Sequence, residues 1–205
     1  MMKILIGTPI HEVKDYCMEQ WLQNVSKIKY PAHLLLVDNS PGLGYVKKVK
    51  GYLAKYGIRN YHIKHIELPQ EQKIFERVAR SREIIRQEVL VQNYDAWFSW
   101  ECDQIIPADA LDILVKIINT GDFMMVNHNN WTRQTLNSPN FDFGVALIKR
   151  EALEKHGFLL EFGTDPEMPD SWEPGEDWFR KRVLRGGGNY AEVDGLIKPV
   201  YHLNK

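Results

Sequence analysis

The sequence predicts an α/β fold: a mostly parallel central sheet flanked by helices. Short β-rich runs alternate with longer helical ones through the first half of the 205 residues, the pattern of strands joined by crossover helices. Several apolar runs also stop on polar turn residues, as strands do at the ligand-binding edge of a parallel sheet. No internal repeat or low-complexity segment interrupts the alternation.

The elements follow in order. "KILIGTP" is a compact apolar strand ending in a Gly-Thr-Pro turn, and "DYCMEQWLQNVSKI" repeats its apolar residues at three and four, a helix. "HLLLVDNSPG" is a buried strand closed by a turn from Asp38 to Gly42. "YVKKVKGYLAKYG" is a helix closed by Gly57, "IRNYHIKHIEL" a strand, and 72–92 a long charged helix. "DAWFSW" is the next strand, and "PADALDILVKIIN" a helix with Pro107 in its first turn. "DFMMVNH" and "FDFGVALIKR" are strands, "REALEKHG" a short helix, and "PGEDWFRKRVLRGG" a helix ended by glycines. "NYAEVD" and "KPVYHL" are extended. Two long polar, aromatic stretches, "NHNNWTRQTLNSPN" and "LLEFGTDPEMPDSWEP", suit ligand loops better than plain connections.

Composition narrows the function. A formal net charge of −1, from 26 Lys plus Arg against 27 Asp plus Glu, disfavours a nucleic-acid partner. Two cysteines without CxxC spacing, Cys17 and Cys102, suit a reduced, cytoplasmic setting. No run of 18 apolar residues is present, so no transmembrane segment is expected and the chain should be soluble by itself.

Four places carry candidate chemistry. Glu101 and Asp103, after a strand, could share one hard cation such as Mg²⁺ or Mn²⁺; alternatively one caps the following helix and the other is solvated. Cys102 between two acids is not expected to be a reactive thiolate. Glu176 and Asp177 lie in a first helical turn, where the dipole favours carboxylates, or act as a positioned base. His202 is a lone histidine, a surface or core residue unless other donors join it. Of Arg77, Arg80, Arg82 and Arg86, most would form a solvated face and one or two could reach a phosphate. His62 and His65 read as structural or surface. Trp131, Trp172 and Trp178 offer flat faces for sugar rings, or simply pack under loops.

Taken in order, "ILIGTPI", "LLLVDNSP", "ARSREIIRQEVLVQNYDAWFSWECDQIIPADAL", "FGVALIKREALEKHGF", "GEDWFRKRVLRGG" and "YHL" resemble the motifs of family-two-like glycosyltransferases of the GT-A fold. The usual DxD is Glu101-Cys102-Asp103 here, with the second acid kept. The resemblance implies a single GT-A domain over 1–205, with a nucleotide-sugar-binding half (1–106) and an acceptor-binding half (107–205). It implies a UDP- or GDP-sugar donor and metal-dependent transfer to an acceptor hydroxyl, inverting by single displacement. It assigns Asp103 and His202 to Mn²⁺ or Mg²⁺, and Thr8, Pro9, Asp38, Arg82 and Glu101 to the donor. Asp177 would be the base, with Glu176 orienting it or exchanging roles. The rival reading is a non-catalytic relative that binds nucleotide or glycan. A sugar nucleotidyltransferase ranks lower, because "GTPIHEVKD" has one glycine and no arginine to cradle a triphosphate.

Overall fold

The computed structural model describes residues 1–128 and 143–204. Its strands are β1 (Ile4–Ile10), β2 (Ala32–Asp38), β3 (Tyr61–His65), β4 (Ala96–Trp100), β5 (Gln104–Ile105), β6 (Phe123–His128), β7 (Val145–Lys149), β8 (Asn189–Val193) and β9 (Tyr201–His202). The α-helices are α1 (Asp15–Val25), α2 (Gly44–Lys55), α3 (Ile74–Val91), α4 (Ala110–Thr120), α5 (Arg150–Lys155) and α6 (Gly175–Arg185). A seven-stranded sheet runs β3-β2-β1-β4-β7-β6-β8, and β5 pairs separately with β9. The large sheet is parallel except for β7, which runs against both neighbours.

The sheet is buried on both faces, which is why its central strands read as continuous apolar runs. In β4, Ala96, Phe98 and Trp100 join the core beneath α1, α2 and α4, while Trp97 joins the one beneath α3, α5 and α6. That is the period-two alternation of a strand. Trp97 Nε1 donates to the Gly7 carbonyl at 2.9 Å, and Ile85 of α3 packs on the same spot. A Cβ at Gly7 would overlap the Ile85 side chain and approach Trp97 Nε1 to 2.7 Å. Gly7→Ala is therefore expected to cost about 1–3 kcal/mol through overpacking, read as a lower urea midpoint at unchanged m.

One local expectation changes. Pro107 precedes α4, which starts at Ala110; the Pro107 carbonyl accepts from the Ala110 N–H at 3.1 Å and turns the chain into the helix. The polar stretch 159–174 is irregular, as expected of a loop; of the other stretch, 127–140, Asn127 and His128 end β6 and the rest, with Trp131, lies outside the described residues.

Candidate functional site

The carboxyl ends of β1, β2 and β4 meet on one edge. Parallel pairing puts Ile10 opposite Asp38 and Gly7 opposite Ser99, so the turns after these strands gather around one cleft. Pro9, His11, Lys14, Asn39, Arg77, Arg82, Glu101 and Asp103 contribute to its lining.

On the β1 side, Thr8 is buried and its hydroxyl donates to the Trp100 carbonyl at 2.8 Å, tying β1 to the end of β4. Pro9 reaches the cleft. A short 3-10 turn, Glu12–Lys14, follows; the His11 ring accepts from the Val13 N–H at 3.1 Å and caps it. This turn delivers Lys14 to Asp103, where the ammonium and the Asp103 Oδ2 form a very short ion pair. Burial pushes the Lys14 pKa down, but the hydrogen bond and charge of Asp103 outweigh it and hold the ammonium above the ordinary lysine value.

Asp38 is completely buried and is not among the residues lining the cleft. Its Oδ1 accepts from the Ser40 N–H and hydroxyl at 3.2 and 2.6 Å, and its Oδ2 meets His65 Nδ1 at 2.7 Å. The carboxylate organises its own turn, and the adjacent Asn39 reaches the cleft instead. His65, between Asp38 and Glu67, fits its structural reading. Burial pushes its pKa down, and the two carboxylates more than reverse this, raising it.

At the end of β4, Glu101 and Asp103 diverge. The Asp103 side chain is 1% exposed, and His202 Nε2 lies 3.5 Å from its Oδ2. The β5–β9 pairing sets this meeting: Gln104 lies opposite His202, and the Leu203 N–H donates to the Asp103 carbonyl at 2.7 Å. Glu101 turns toward α3, 3.9 Å from Arg82. Cys102 is buried against the Cys17 thiol; that contact, with burial, pushes its thiol well above the ordinary range, the opposite of a reactive thiolate.

Arg82 is 9% exposed at its side chain and forms a very short ion pair with Glu176 Oε1 from the first turn of α6. The other Glu176 oxygen accepts from the Phe143 N–H at 2.9 Å, and the Arg82 guanidinium lies 5.2 Å from the Phe143 ring centroid. Arg77 also lines the cleft, whereas Arg80 and Arg86 pair with Glu76 and Glu83 of their own helix. Asp177 binds Arg180 and Lys181 at 2.5 and 2.9 Å. Burial raises its pKa, and those two cations outweigh it and hold the carboxyl below the usual range. Trp178 is buried beneath Arg182 and Arg185, a packing role, while Trp172 sits edge-on to Phe162 in the 159–174 loop.

The structure thus joins Asp103 to His202, and Arg82 to Glu101 and Glu176. It does not bring Asp38 or Asp177 into these contacts. Lys14 escaped the sequence reading: a single lysine after a strand has no pattern, although its place four residues beyond Ile10 puts it on the ligand edge.

Asp103, in the turn between β4 and β5, and His202 of β9 supply one oxygen and one nitrogen donor, a set that suits Mn²⁺ or Mg²⁺ when substrate and water complete the shell. A cationic ammonium already rests on the same Asp103 oxygen, so the pocket accepts positive charge. Among the described residues, no group of three or more His, Cys, Asp or Glu side chains is placed to hold a metal by itself.

No protein-family model and no curated protein matches the chain. Solved structures do. A Pyrobaculum calidifontis mannosyltransferase in complex with GDP-Man and Mn²⁺ superposes with a TM-score of 0.72 at 16% identity, over 95% of this chain and 55% of that one. S. aureus TarS gives 0.66 at 13% identity, over 100% and 37%, and the Streptococcus pneumoniae glycosyltransferase GlyE 0.55 at 13%, over 94% and 45%. The chain spans about half the length of these proteins or less. These superpositions show the fold: the chain has the fold of the GT-A glycosyltransferases.

Proposed function

We propose that the protein is a metal-dependent glycosyltransferase that moves a sugar from a UDP- or GDP-sugar to an acceptor hydroxyl, with inversion at the anomeric carbon. The observation that carries this reading is that Asp103, which lines the cleft with Lys14, Arg77 and Arg82, meets His202. A GDP-Man complex and a UDP-GlcNAc complex on the same fold support a nucleotide-sugar donor.

Asp103 and His202 would hold Mn²⁺ or Mg²⁺. Bound there, the ion would neutralise the charge that grows on the diphosphate as the sugar leaves. Arg77, half-exposed in the cleft, adds a guanidinium suited to phosphate oxygens. Pro9, His11 and Asn39 border the side of the cleft for base and ribose, with Asp38 holding their turn in shape and Thr8 fixing β1 to β4. Arg82 and Glu101 form the wall between donor and acceptor sides.

Both oxygens of Glu176 are committed, to Arg82 and to the Phe143 amide, so it anchors the start of α6. Asp177, the next residue, is partly exposed and kept ionised by Arg180 and Lys181. It accepts the acceptor hydroxyl's proton as that oxygen bonds to the anomeric carbon and the sugar–phosphate bond breaks. Attack opposite the leaving group is a single displacement and inverts the carbon. The free, buried thiols of Cys17 and Cys102 suit a reducing cytoplasmic compartment. Among the described residues no helix is long and apolar enough to cross a membrane.

The second reading, a relative that binds without turnover, is favoured by Glu101 in the place of the first acid and by the two cations on Asp177. Release of UDP or GDP from matching nucleotide sugars separates the two. Mn²⁺-stimulated release is expected, and Asp177→Asn should lower it about 10²–10⁴-fold while donor affinity holds. Donor binding with no release from any sugar tested would leave the binding reading.

A further inference from the structure

We infer that Lys14 is the resident counter-ion of the metal site, and that a divalent cation must displace its ammonium from Asp103 to bind. The inference rests on the assignment of Asp103 and His202 to the metal.

Three observations carry it. The ammonium contacts Asp103 Oδ2, the same oxygen that faces His202 Nε2 at 3.5 Å. A carboxylate this buried needs a positive partner, and the chain supplies one built into the fold. Lys14 is also held in place: its N–H donates to the His11 carbonyl at 2.9 Å, and its own carbonyl accepts from the Cys17 thiol at 3.0 Å. Yet its side chain is 39% exposed, so the ammonium can swing away without unpacking the core. A divalent cation and the ammonium on that one oxygen would repel each other strongly in a partly buried site, which favours departure of the ammonium.

Displaced, the ammonium stays within the cleft that Lys14 lines, where a donor diphosphate offers it a new anionic partner. The site is thereby biased against holding a metal when no diphosphate is present. Lys14 is a positioning residue in this scheme, acting through the occupancy of Asp103.

Mn²⁺ binding to the full chain, without nucleotide, tests this through the electron paramagnetic resonance signal of free Mn²⁺. Lys14→Met should bind Mn²⁺ about tenfold more tightly than wild type or better, the equivalent of about 1.4 kcal/mol. Lys14→Arg, which keeps a cation, should stay near wild type, and Asp103→Asn in the Lys14→Met background should lose the gain. Because Lys14→Met leaves a buried carboxylate without this partner, Lys14→Gln serves as a second variant whose amide can still bond Asp103; it too should gain affinity. Mn²⁺ should also raise the melting temperature of both neutral variants more than that of wild type.

Equal or weaker binding in the neutral variants overturns the inference. If that binding is still abolished by Asp103→Asn, the metal assignment survives the inference; if no variant binds Mn²⁺ even with UDP or GDP present, both fall.

Discussion

Asp103→Asn is expected to remove metal-stimulated sugar transfer, with a fall of about 10²–10³ or more. The substitution keeps the size of a side chain that is 1% exposed and removes only its charge. The hydrogen bond from the Leu203 N–H goes to the Asp103 backbone carbonyl, so the β5–β9 junction does not depend on the carboxylate. What is lost is the anionic oxygen shared by Lys14 and His202. Rates measured across a Mn²⁺ titration, beside a melting curve showing a folded variant, check the result. A variant whose turnover still responds to Mn²⁺ as wild type does would place the metal elsewhere.

Arg82→Met should be the most destabilising of the site substitutions, at about 3–5 kcal/mol. Arg82 lies between two carboxylates, in ion-pair contact with Glu176 and 3.9 Å from Glu101. Removing it leaves both acids in a poorly solvated wall, and it also removes the guanidinium from the Phe143 ring. For a domain whose whole stability is about 5–15 kcal/mol, that is a large share. Urea unfolding reads it directly. The double variant Arg82→Met with Glu176→Met should recover much of the loss, because replacing both members of a buried pair by apolar groups is often close to neutral. No recovery would mean that Glu176 and Arg82 do not act as a pair.

Much of this arrangement is written locally in the chain. The alternation of strands and helices, the acids after β4 and the carboxylates opening α6 are all short-range patterns, and each sits where its pattern implies. Nothing local reveals that β7 runs backwards, because a strand buried on both faces reads as an apolar run in either direction. The β5–β9 pair is only two residues long on each strand, with partners nearly the whole second half of the chain apart, so no periodicity announces it. It nevertheless decides the site by carrying His202 to Asp103. Asp38 shows the converse. Its turn was legible, but whether its carboxylate faces a ligand or its own turn depends on Ser40 and on His65 from the neighbouring strand. Lys14 was invisible for a related reason, since its meaning comes entirely from a contact 89 residues away.

If the proposed function holds, Asp103 and His202 together bind a divalent cation against a nucleoside diphosphate. Crystals soaked with Mn²⁺ and either UDP or GDP test it most directly through the anomalous signal of manganese. One strong peak is expected within coordination distance of an Asp103 carboxylate oxygen and His202 Nε2, beside the diphosphate, with the Lys14 ammonium moved off Asp103. A diphosphate bound in the cleft with Lys14 still on Asp103 and no manganese peak beside His202 would contradict it.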